Sequence, residues 1–230
     1  MKKKIDQLVL LNGGLGKRVR SISKQKPKCL IKFKKKTFLH HQLLLFKKNG
    51  IKEVVICVGY KREQIFSEIS KINISNLKIK IVEEINPLGT GGAIKNCIKY
   101  LDDIFFVTYG DSWLNLKFRN IEKKFLKKKK NLISIISKEK LLNHEPNILL
   151  KKNKIVDYNK GNISYNYVDY GLMILNKDEF QRIKINKFDL SILIKKLITS
   201  QSISFYKVRN KFYEIGSLRG IREFKKYIYQ

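Results

Sequence analysis

Short apolar runs alternate with amphipathic stretches along most of the chain. Residues 5–11 form an apolar-rich run that leads straight into glycines, a pattern typical of a buried parallel strand. Thr37 then precedes an amphipathic segment that Gly50 ends, which predicts a capped helix. The same criteria predict strands at 53–58, 78–82, 104–108 and 132–137, and helices at 63–72, 92–101 and 116–130.

The remaining third continues the alternation with smaller elements. Short strands are predicted between residues 154 and 175, then a helix at 189–200, a strand at 202–208 and a helix from Ser217. This alternation predicts an α/β fold, a Rossmann-like, doubly wound, mostly parallel sheet with helices on both faces. Because ligands of such sheets bind outside the carboxyl ends of the strands, the loops that follow strands are where we look for chemistry.

The net charge raises the question of a polyanionic partner. The chain has 230 residues, with 50 Lys and Arg against 19 Asp and Glu, and a formal charge of +31. Such an excess favours attraction to nucleic acid or to an anionic membrane. However, the 42 lysines are scattered along the whole chain and not confined to one arm, so a bias toward AT-rich codons is the preferred explanation for them. We therefore expect no nucleic-acid partner and no membrane partner.

Two further features bear on the compartment. The basic start and apolar run of residues 2–11 resemble a signal peptide, but Asp6 and Gln7 interrupt the run and no small-residue cleavage site follows. Cys29, Cys57 and Cys97 are odd in number and lack the spacing of a metal site. We expect free thiols and a cytoplasmic protein.

The loop after the first predicted strand is rich in glycine. It contains Gly13, Gly14 and Gly16, followed by Arg18, so backbone amides and a guanidinium are available for phosphate. The spacing matches neither a P-loop nor the dinucleotide-binding fingerprint. Taken alone, the loop is explained equally well as a tight turn without a ligand.

Three later segments add to this loop. Pro27 and Lys28 place a second cation ten residues after Arg18, and residues 88–93 open a helix whose amides could bind a second anion. Asp111 follows an apolar strand, where its carboxylate could bind a hard cation such as Mg²⁺. An alternative role for Asp111 is to cap a following helix.

Together these segments resemble the sugar-1-phosphate nucleotidyltransferases, and among them the D-glycero-D-manno-heptose 1-phosphate and mannose-1-phosphate guanylyltransferases. Residues 11–18 with Pro27-Lys28 resemble the family's L-A-G-G-x-G-x-R and P-K-P motifs, and residues 87–93 resemble its P-L-G-T-G-G-A segment. Residues 105–112, 168–175 and 212–216 resemble its strand ending in G-D, its later strand with a central glycine, and its F-x-D-I-G segment.

The resemblance covers nearly the whole chain and implies a nucleotide-diphospho-sugar transferase-like fold. We expect a single nucleotidyltransferase domain over residues 1–230, with sugar-binding insertions around 140–190 and no β-helix domain. The implied reaction is attack of a sugar 1-phosphate on the α-phosphorus of a nucleoside triphosphate, with release of pyrophosphate and with Mg²⁺ as cofactor. Both substrates are the expected partners, and homo-oligomerisation is left open.

The resemblance also implies a role for each matching residue. Arg18 and Lys28 would act on the reacting phosphates, and Asp111 and Glu214 would bind the metal. Sugar phosphate would be bound by Lys160, Asp169 and Gly171. The nucleotide would be bound by Leu11, Gly13, Gly14, Gly16, Glu84, Pro87, Gly89 and Thr90.

Each assignment competes with a simpler one. Lys28 and Lys160 could be solvated lysines, and Glu214 could pair with a surface lysine. Four residues depart from the family's motifs: Asn12 stands for Ala, Lys17 for a small or hydroxyl residue, Cys29 for the second Pro, and Glu214 for Asp. We expect Asn12 to add a polar group beside the base.

The choice of base and sugar is predicted from fewer residues than the reaction type. Glu83 and Glu84 precede Pro87, and a carboxylate can accept two hydrogen bonds from guanine N1–H and its exocyclic amine. This favours GTP with a manno-configured sugar 1-phosphate, although uracil or cytosine could also donate one bond. Two functions of other classes stay open, a nucleotide-binding regulatory module without turnover and a basic nucleic-acid-binding protein.

Overall fold

The computed structural model describes residues 4–13, 26–59, 61–141, 144–159 and 161–230. In chain order the strands are β1 (Gln7–Leu11), β2 (Lys32–Phe33), β3 (Lys36–Thr37), β4 (Glu53–Val58), β5 (Lys78–Glu83), β6 (Ile104–Tyr109), β7 (Ser112–Trp113), β8 (Asn131–Ser137), β9 (Ile148–Lys151), β10 (Lys154–Tyr158), β11 (Tyr167–Asn176), β12 (Ile203–Lys207) and β13 (Tyr213–Glu214). The helices are α1 (Phe38–Lys48), α2 (Arg62–Ile69), α3 (Gly89–Asn96), α4 (Phe118–Lys128), α5 (Lys177–Gln181), α6 (Leu190–Thr199) and α7 (Leu218–Ile228).

A large sheet runs through the centre of the fold. Strands β5, β4, β1 and β6 lie side by side in that order and are all parallel. Antiparallel β11 continues the sheet beyond β6 and pairs in turn with β8, to which β12 adds in parallel. The predicted α/β fold with a mostly parallel sheet is confirmed.

Alternate residues of the central strands point into two separate cores. In β1, Leu8 and Leu10 belong to one buried cluster, and Val9 and Leu11 belong to another. Both faces of the strand are therefore covered, which is why β1 is apolar at every position between Leu8 and Leu11 instead of alternating with polar residues.

Side-chain caps fix where several helices begin. The Thr37 hydroxyl accepts a hydrogen bond from the His40 amide at the start of α1, and the Asp189 carboxylate accepts one from Ser191 at the start of α6. The Ser217 hydroxyl accepts one from Gly220 at the start of α7. These are the positions at which the sequence predicts the three helices to begin. No helix in the described part of the chain is long and apolar enough to cross a membrane.

Some predicted boundaries are wrong. The helix predicted at 92–101 begins three residues earlier, at Gly89, and gives way after Asn96 to a short 3-10 turn. The short strands predicted up to residue 175 include one strand of ten residues, β11. It is long because it crosses the sheet between two neighbours, and this tertiary pairing is not encoded in a local pattern.

A third, smaller core lies beside the sheet. In it, Phe33 and Phe38 from the N-terminal part of the chain pack against Ile215, Ile221 and Phe224 from near the C-terminus. The Phe224 ring contacts Phe33 and Trp113 edge-on or tilted, with centroid distances of 4.8 and 5.4 Å. This core holds α7 against the small sheet formed by β7 and β13, and so fixes the position of β13.

We predict that Phe224→Ala destabilises the protein by about 3–5 kcal/mol, because it removes a fully buried ring from this core. Urea unfolding monitored by circular dichroism would measure the change. Leu44→Ala, on an exposed part of α1, is the control and should change stability by no more than about 0.5 kcal/mol. Equal losses in the two variants would contradict a structural role for the third core.

Candidate active site

A cleft of about 470 Å³ opens at the carboxyl ends of β1, β4, β5 and β6. This size lies within the usual range for small-molecule sites. Parallel strands end at the same edge of the sheet, so segments far apart in sequence meet there. The described residues that line the cleft are Leu11, Asn12, Gly13, Pro27, Lys28, Gly59, Arg62, Glu84, Ile85, Pro87, Gly89, Thr90, Ala93, Tyr109, Gly110 and Asp111.

Lys28 and Asp111 form an ion pair in this cleft. Lys28 Nζ donates to Asp111 Oδ2 at 3.0 Å, and the two side chains are 17% and 33% exposed. Lys28 begins a short 3-10 turn that buries the neighbouring Cys29, whereas Asp111 follows the last residues of β6. Lys28 is therefore held at the cleft by its local structure and is not one of the freely solvated lysines.

Glu214 reaches the same place from the far end of the chain. Strand β13 pairs with β7 so that Glu214 lies opposite Ser112, and the Ile215 amide donates to the Asp111 carbonyl at 2.9 Å. A Cβ atom on Gly216 would lie 2.6 Å from Glu214 Oε2, 3.2 Å from Asp111 Oδ2 and 3.5 Å from Lys28 Nζ. Two carboxylates and one ammonium thus surround a single point, which a side chain at position 216 would occupy.

The simpler roles weighed for the two acids do not apply in this structure. Asp111 caps no helix, because the next helix begins at Phe118 and its N-cap is Lys117. Glu214 accepts hydrogen bonds from the Gly216 amide and the Ser217 hydroxyl. Among the described residues it forms no ion pair with a lysine.

The donor set at this point fits a hard divalent cation. Mg²⁺ is bound in many phosphate-handling proteins by one or two carboxylates, with phosphates and waters as its remaining ligands. Asp111 and Glu214 supply two carboxylates, and the described residues contain no group of three or more acidic, His or Cys side chains that could enclose a metal by themselves. A cation at this site would therefore obtain its other ligands from a bound phosphate and from water.

Glu84 lies at the opposite side of the cleft, over the glycine of the first loop. Its Oε2 accepts a hydrogen bond from the Leu88 amide at 3.2 Å, and its Oε1 lies 2.5 Å from where a Cβ on Gly13 would be. A side chain at position 13 would therefore displace the carboxylate from its present position. Partial burial raises the pKa of the Glu84 carboxyl. Glu83, by contrast, is exposed and pairs with Arg62 at 3.3 Å.

Gly91 and Gly92, near the start of α3, pack against the segment that contains Phe188. The amides of Gly91 and Gly92 both donate to the Phe188 carbonyl at 3.0 Å, so the expected second phosphate site at these two amides is wrong. A Cβ on Gly91 would lie 2.2 Å from the Phe188 ring. Gly89, with φ of +75°, and Thr90 line the cleft, and the Thr90 hydroxyl accepts a hydrogen bond from the Leu190 amide at 2.8 Å.

Asp169 and Gly171 lie behind the cleft wall, not on it. Asp169 is only 9% exposed, and its two oxygens accept hydrogen bonds from the Tyr158 hydroxyl at 3.0 Å and the Gly171 amide at 2.8 Å. A Cβ on Gly171 would lie 3.3 Å from Tyr109, which lines the cleft. Asp169 therefore holds the Tyr158 hydroxyl and the Gly171 amide of β11 in place, a role that the sequence did not indicate.

Several expected site residues lie outside the described part of the chain. These are Gly14, Gly16, Arg18 and Lys160, together with Lys17. Asn12 is described and lines the cleft, and its side-chain amide donates to the sulfur of Cys29 at 3.0 Å.

We predict that Glu84→Gln stabilises the protein by an amount that depends on pH. Burial raises the pKa of this carboxyl, so the charged form weakens the folded state above that pKa, whereas protonation at low pH removes the penalty. The gain in melting temperature over the wild type should be largest near about pH 7 and shrink toward about pH 4.

Thermal unfolding of the two proteins across this range is the measurement. Glu83→Gln is the matched control, because it removes the exposed neighbouring carboxylate, and it should show no gain that grows with pH. A Glu84→Gln protein that is less stable than the wild type at every pH would contradict the assignment of Glu84 to a desolvated position.

Comparison with known proteins places this geometry in a family. The profile of the nucleotidyl transferase family matches residues 7–145. The chain is 39% identical to the D-glycero-alpha-D-manno-heptose 1-phosphate guanylyltransferase of Campylobacter jejuni over 116 residues, which is 50% of this chain and 52% of that protein. It is 28% identical to the enzyme of the same name from Aneurinibacillus thermoaerophilus, over 76% of each protein. The match thus spans about half the length of the Campylobacter relative.

Solved structures agree on the fold. The structure of HddC from Yersinia pseudotuberculosis superposes with a TM-score of 0.84 at 24% identity, covering 97% of this chain and 100% of that one. The inositol-1-phosphate CTP transferase of T. maritima superposes with a TM-score of 0.79 at 19% identity, covering 100% and 98%. With the family profile covering more than half of the sequence, the chain belongs to the nucleotidyl transferase family.

Proposed function

We propose that this protein is a sugar-1-phosphate guanylyltransferase. It joins a manno-configured sugar 1-phosphate, a heptose or mannose, to the GMP portion of GTP and releases pyrophosphate. The observation that carries the proposal is the convergence of Lys28, Asp111 and Glu214 at the carboxyl ends of β1 and β6, beside a cleft of ligand size. Family membership supports the reaction type, and the names of the Campylobacter and Aneurinibacillus relatives support the substrates.

The reaction needs positioning and charge neutralisation more than acid–base chemistry. The phosphate of the sugar substrate is already anionic at neutral pH, so it can attack the α-phosphorus without a strong general base. The barrier then arises from bringing anionic groups together and from charge that builds up on the leaving pyrophosphate. Fixed cations at the phosphates lower both contributions.

Lys28 supplies such a cation from within the cleft. An ammonium group has three donors, and Lys28 directs one of them to Asp111, which leaves two for phosphate oxygens. Asp111 in turn holds the ammonium in place before substrate binds. Because Lys28 is largely buried, little water competes for these donors, and the attraction to a phosphate is stronger than at an exposed lysine.

Asp111 and Glu214 would hold Mg²⁺. When bound, this ion would neutralise negative charge on the triphosphate and fix its orientation. The carboxylate of Glu214 is oriented for this role by the Gly216 amide and the Ser217 hydroxyl, which each bind one of its oxygens. Such supporting hydrogen bonds limit the freedom of the longer Glu side chain at this position.

Glu84 is the residue proposed to select guanine. Its carboxylate is half-buried at the cleft, with one hydrogen bond from Leu88, so its oxygens retain acceptor capacity toward a ligand. Guanine offers two adjacent donors, N1–H and the exocyclic amine, which match a carboxylate in a bidentate geometry. Lys160 is proposed to bind the sugar phosphate, and Asp169 and Gly171 are proposed to support the Tyr109 wall of the sugar pocket from behind.

A substrate panel tests the proposed function directly. The four common nucleoside triphosphates are combined with mannose, heptose and glucose 1-phosphates in the presence of Mg²⁺, and pyrophosphate release is measured. We expect the highest kcat/KM with GTP and a manno-configured sugar. Turnover with UTP or CTP alone would overturn the guanylyl assignment, and binding of GTP without pyrophosphate release in every combination would overturn the enzymatic one.

We predict that Asp111→Asn lowers kcat by at least about a hundredfold while the protein stays folded, because it removes a charge that holds both Lys28 and the metal. Pyrophosphate release and far-ultraviolet circular dichroism measure the two effects. Asp102→Asn, which changes an exposed carboxylate just before the same strand, is the matched control. Near-normal turnover in the Asp111 variant would remove Asp111 from the reaction.

A further inference from the structure

Asn12 contacts the sequence neighbours of both Lys28 and Asp111, the two residues of the ion pair. It follows the last residue of β1, and its backbone amide donates to the Cys57 carbonyl at 3.0 Å, which continues the pairing of β1 with β4. Its side chain makes two further contacts. Nδ2 donates to Cys29 Sγ at 3.0 Å, and Oδ1 lies 2.4 Å from where a Cβ on Gly110 would be.

Each contact of this side chain adjoins one member of the ion pair. Cys29 is the residue after Lys28 and is 1% exposed within the 3-10 turn. Gly110 is the residue before Asp111, and its amide donates to the Leu11 carbonyl at 2.8 Å. The Asn12 carboxamide therefore contacts the Cys29 side chain of the Lys28 turn on one side and the Gly110 backbone before Asp111 on the other.

The sulfur of Cys29 is suited to accept this hydrogen bond rather than to react. Burial raises the pKa of the Cys29 thiol to about 12, so the group stays a neutral thiol at physiological pH. Its role at this position is then structural. A buried amide donor without an acceptor would be unfavourable, and the sulfur supplies one.

We propose that Asn12, through Cys29, is a positioning residue that fixes the Lys28 turn at the correct distance from Asp111. The two residues in contact are two of the four that depart from the family's motifs, where Ala and a second Pro stand. A proline would restrict the backbone of the Lys28 turn through its ring. Here the hydrogen bond between Asn12 and Cys29 supplies that restraint. The effect on turnover rests on the proposed function, whereas the effect on the turn does not.

Two readouts separate these effects. Hydrogen–deuterium exchange, measured by mass spectrometry, reports on the Leu30 and Ile31 amides that close the turn by donating to Pro27 and Lys28. Pyrophosphate release reports kcat and KM for the nucleotide. The variants are Asn12→Ala, Cys29→Ala, the double variant, and Cys29→Ser, which keeps a small hydrogen-bond acceptor. Cys97→Ala is the control for loss of a buried thiol that does not line the cleft.

Asn12→Ala and Cys29→Ala should each raise exchange of the turn amides by about tenfold and lower kcat by a similar factor, the scale expected for one lost hydrogen bond. The double variant should be no worse than either single variant, since both remove the same bond. Cys29→Ser should retain most of the wild-type values, and Cys97→Ala should leave exchange of the turn and kcat unchanged.

Additive effects in the double variant, or an unchanged turn in Asn12→Ala, would overturn the proposal. So would Cys29→Ser behaving like Cys29→Ala. If the wild-type protein turns over no substrate pair, the proposed function fails, and the exchange measurements still decide whether Asn12 and Cys29 hold the turn together.

Discussion

The ion pair between Lys28 and Asp111 is the interaction on which the candidate site depends. The two residues are 83 positions apart in sequence. They meet because β1 and β6 are adjacent parallel strands, so the loops that follow them leave the sheet at the same edge. Everything else at the site is arranged around this pair: β13 adds Glu214 through its pairing with β7, and Glu84 closes the other side of the cleft from the end of β5.

The pair also changes the meaning of the net charge. An excess of 31 positive charges suggests a polyanionic partner when the sequence is considered as a whole. Among the described lysines, Lys28 differs from the solvated ones in its surroundings. Its side chain is 17% exposed, is paired with the Asp111 carboxylate and lines the cleft. A partly desolvated lysine would attract phosphate more strongly than a fully solvated surface lysine, whatever the total charge of the chain.

Much of the fold could be predicted from the sequence because the signals were local. Neighbouring residues determine the apolar runs of β1 and β4. They also determine the helix caps at Thr37, Asp189 and Ser217. The sequence also placed Asp111 at the end of a strand. The length of β11 and the pairing of β7 with β13 depend on residues far apart in the chain, so no local pattern contains them.

For Gly91 and Gly92, the structural reason for glycine differs from the one that the motif suggests. Gly91 and Gly92 lack side chains because the Phe188 segment packs on them, not because phosphate binds their amides.

The central claim is that the triphosphate is bound where Lys28, Asp111 and Glu214 converge. A crystal structure with GTP and Mg²⁺ tests it most directly. The account predicts the ion between the two carboxylates, phosphate oxygens on Lys28 Nζ, and guanine at Glu84. A triphosphate bound away from the carboxyl ends of β1 and β6 would contradict it.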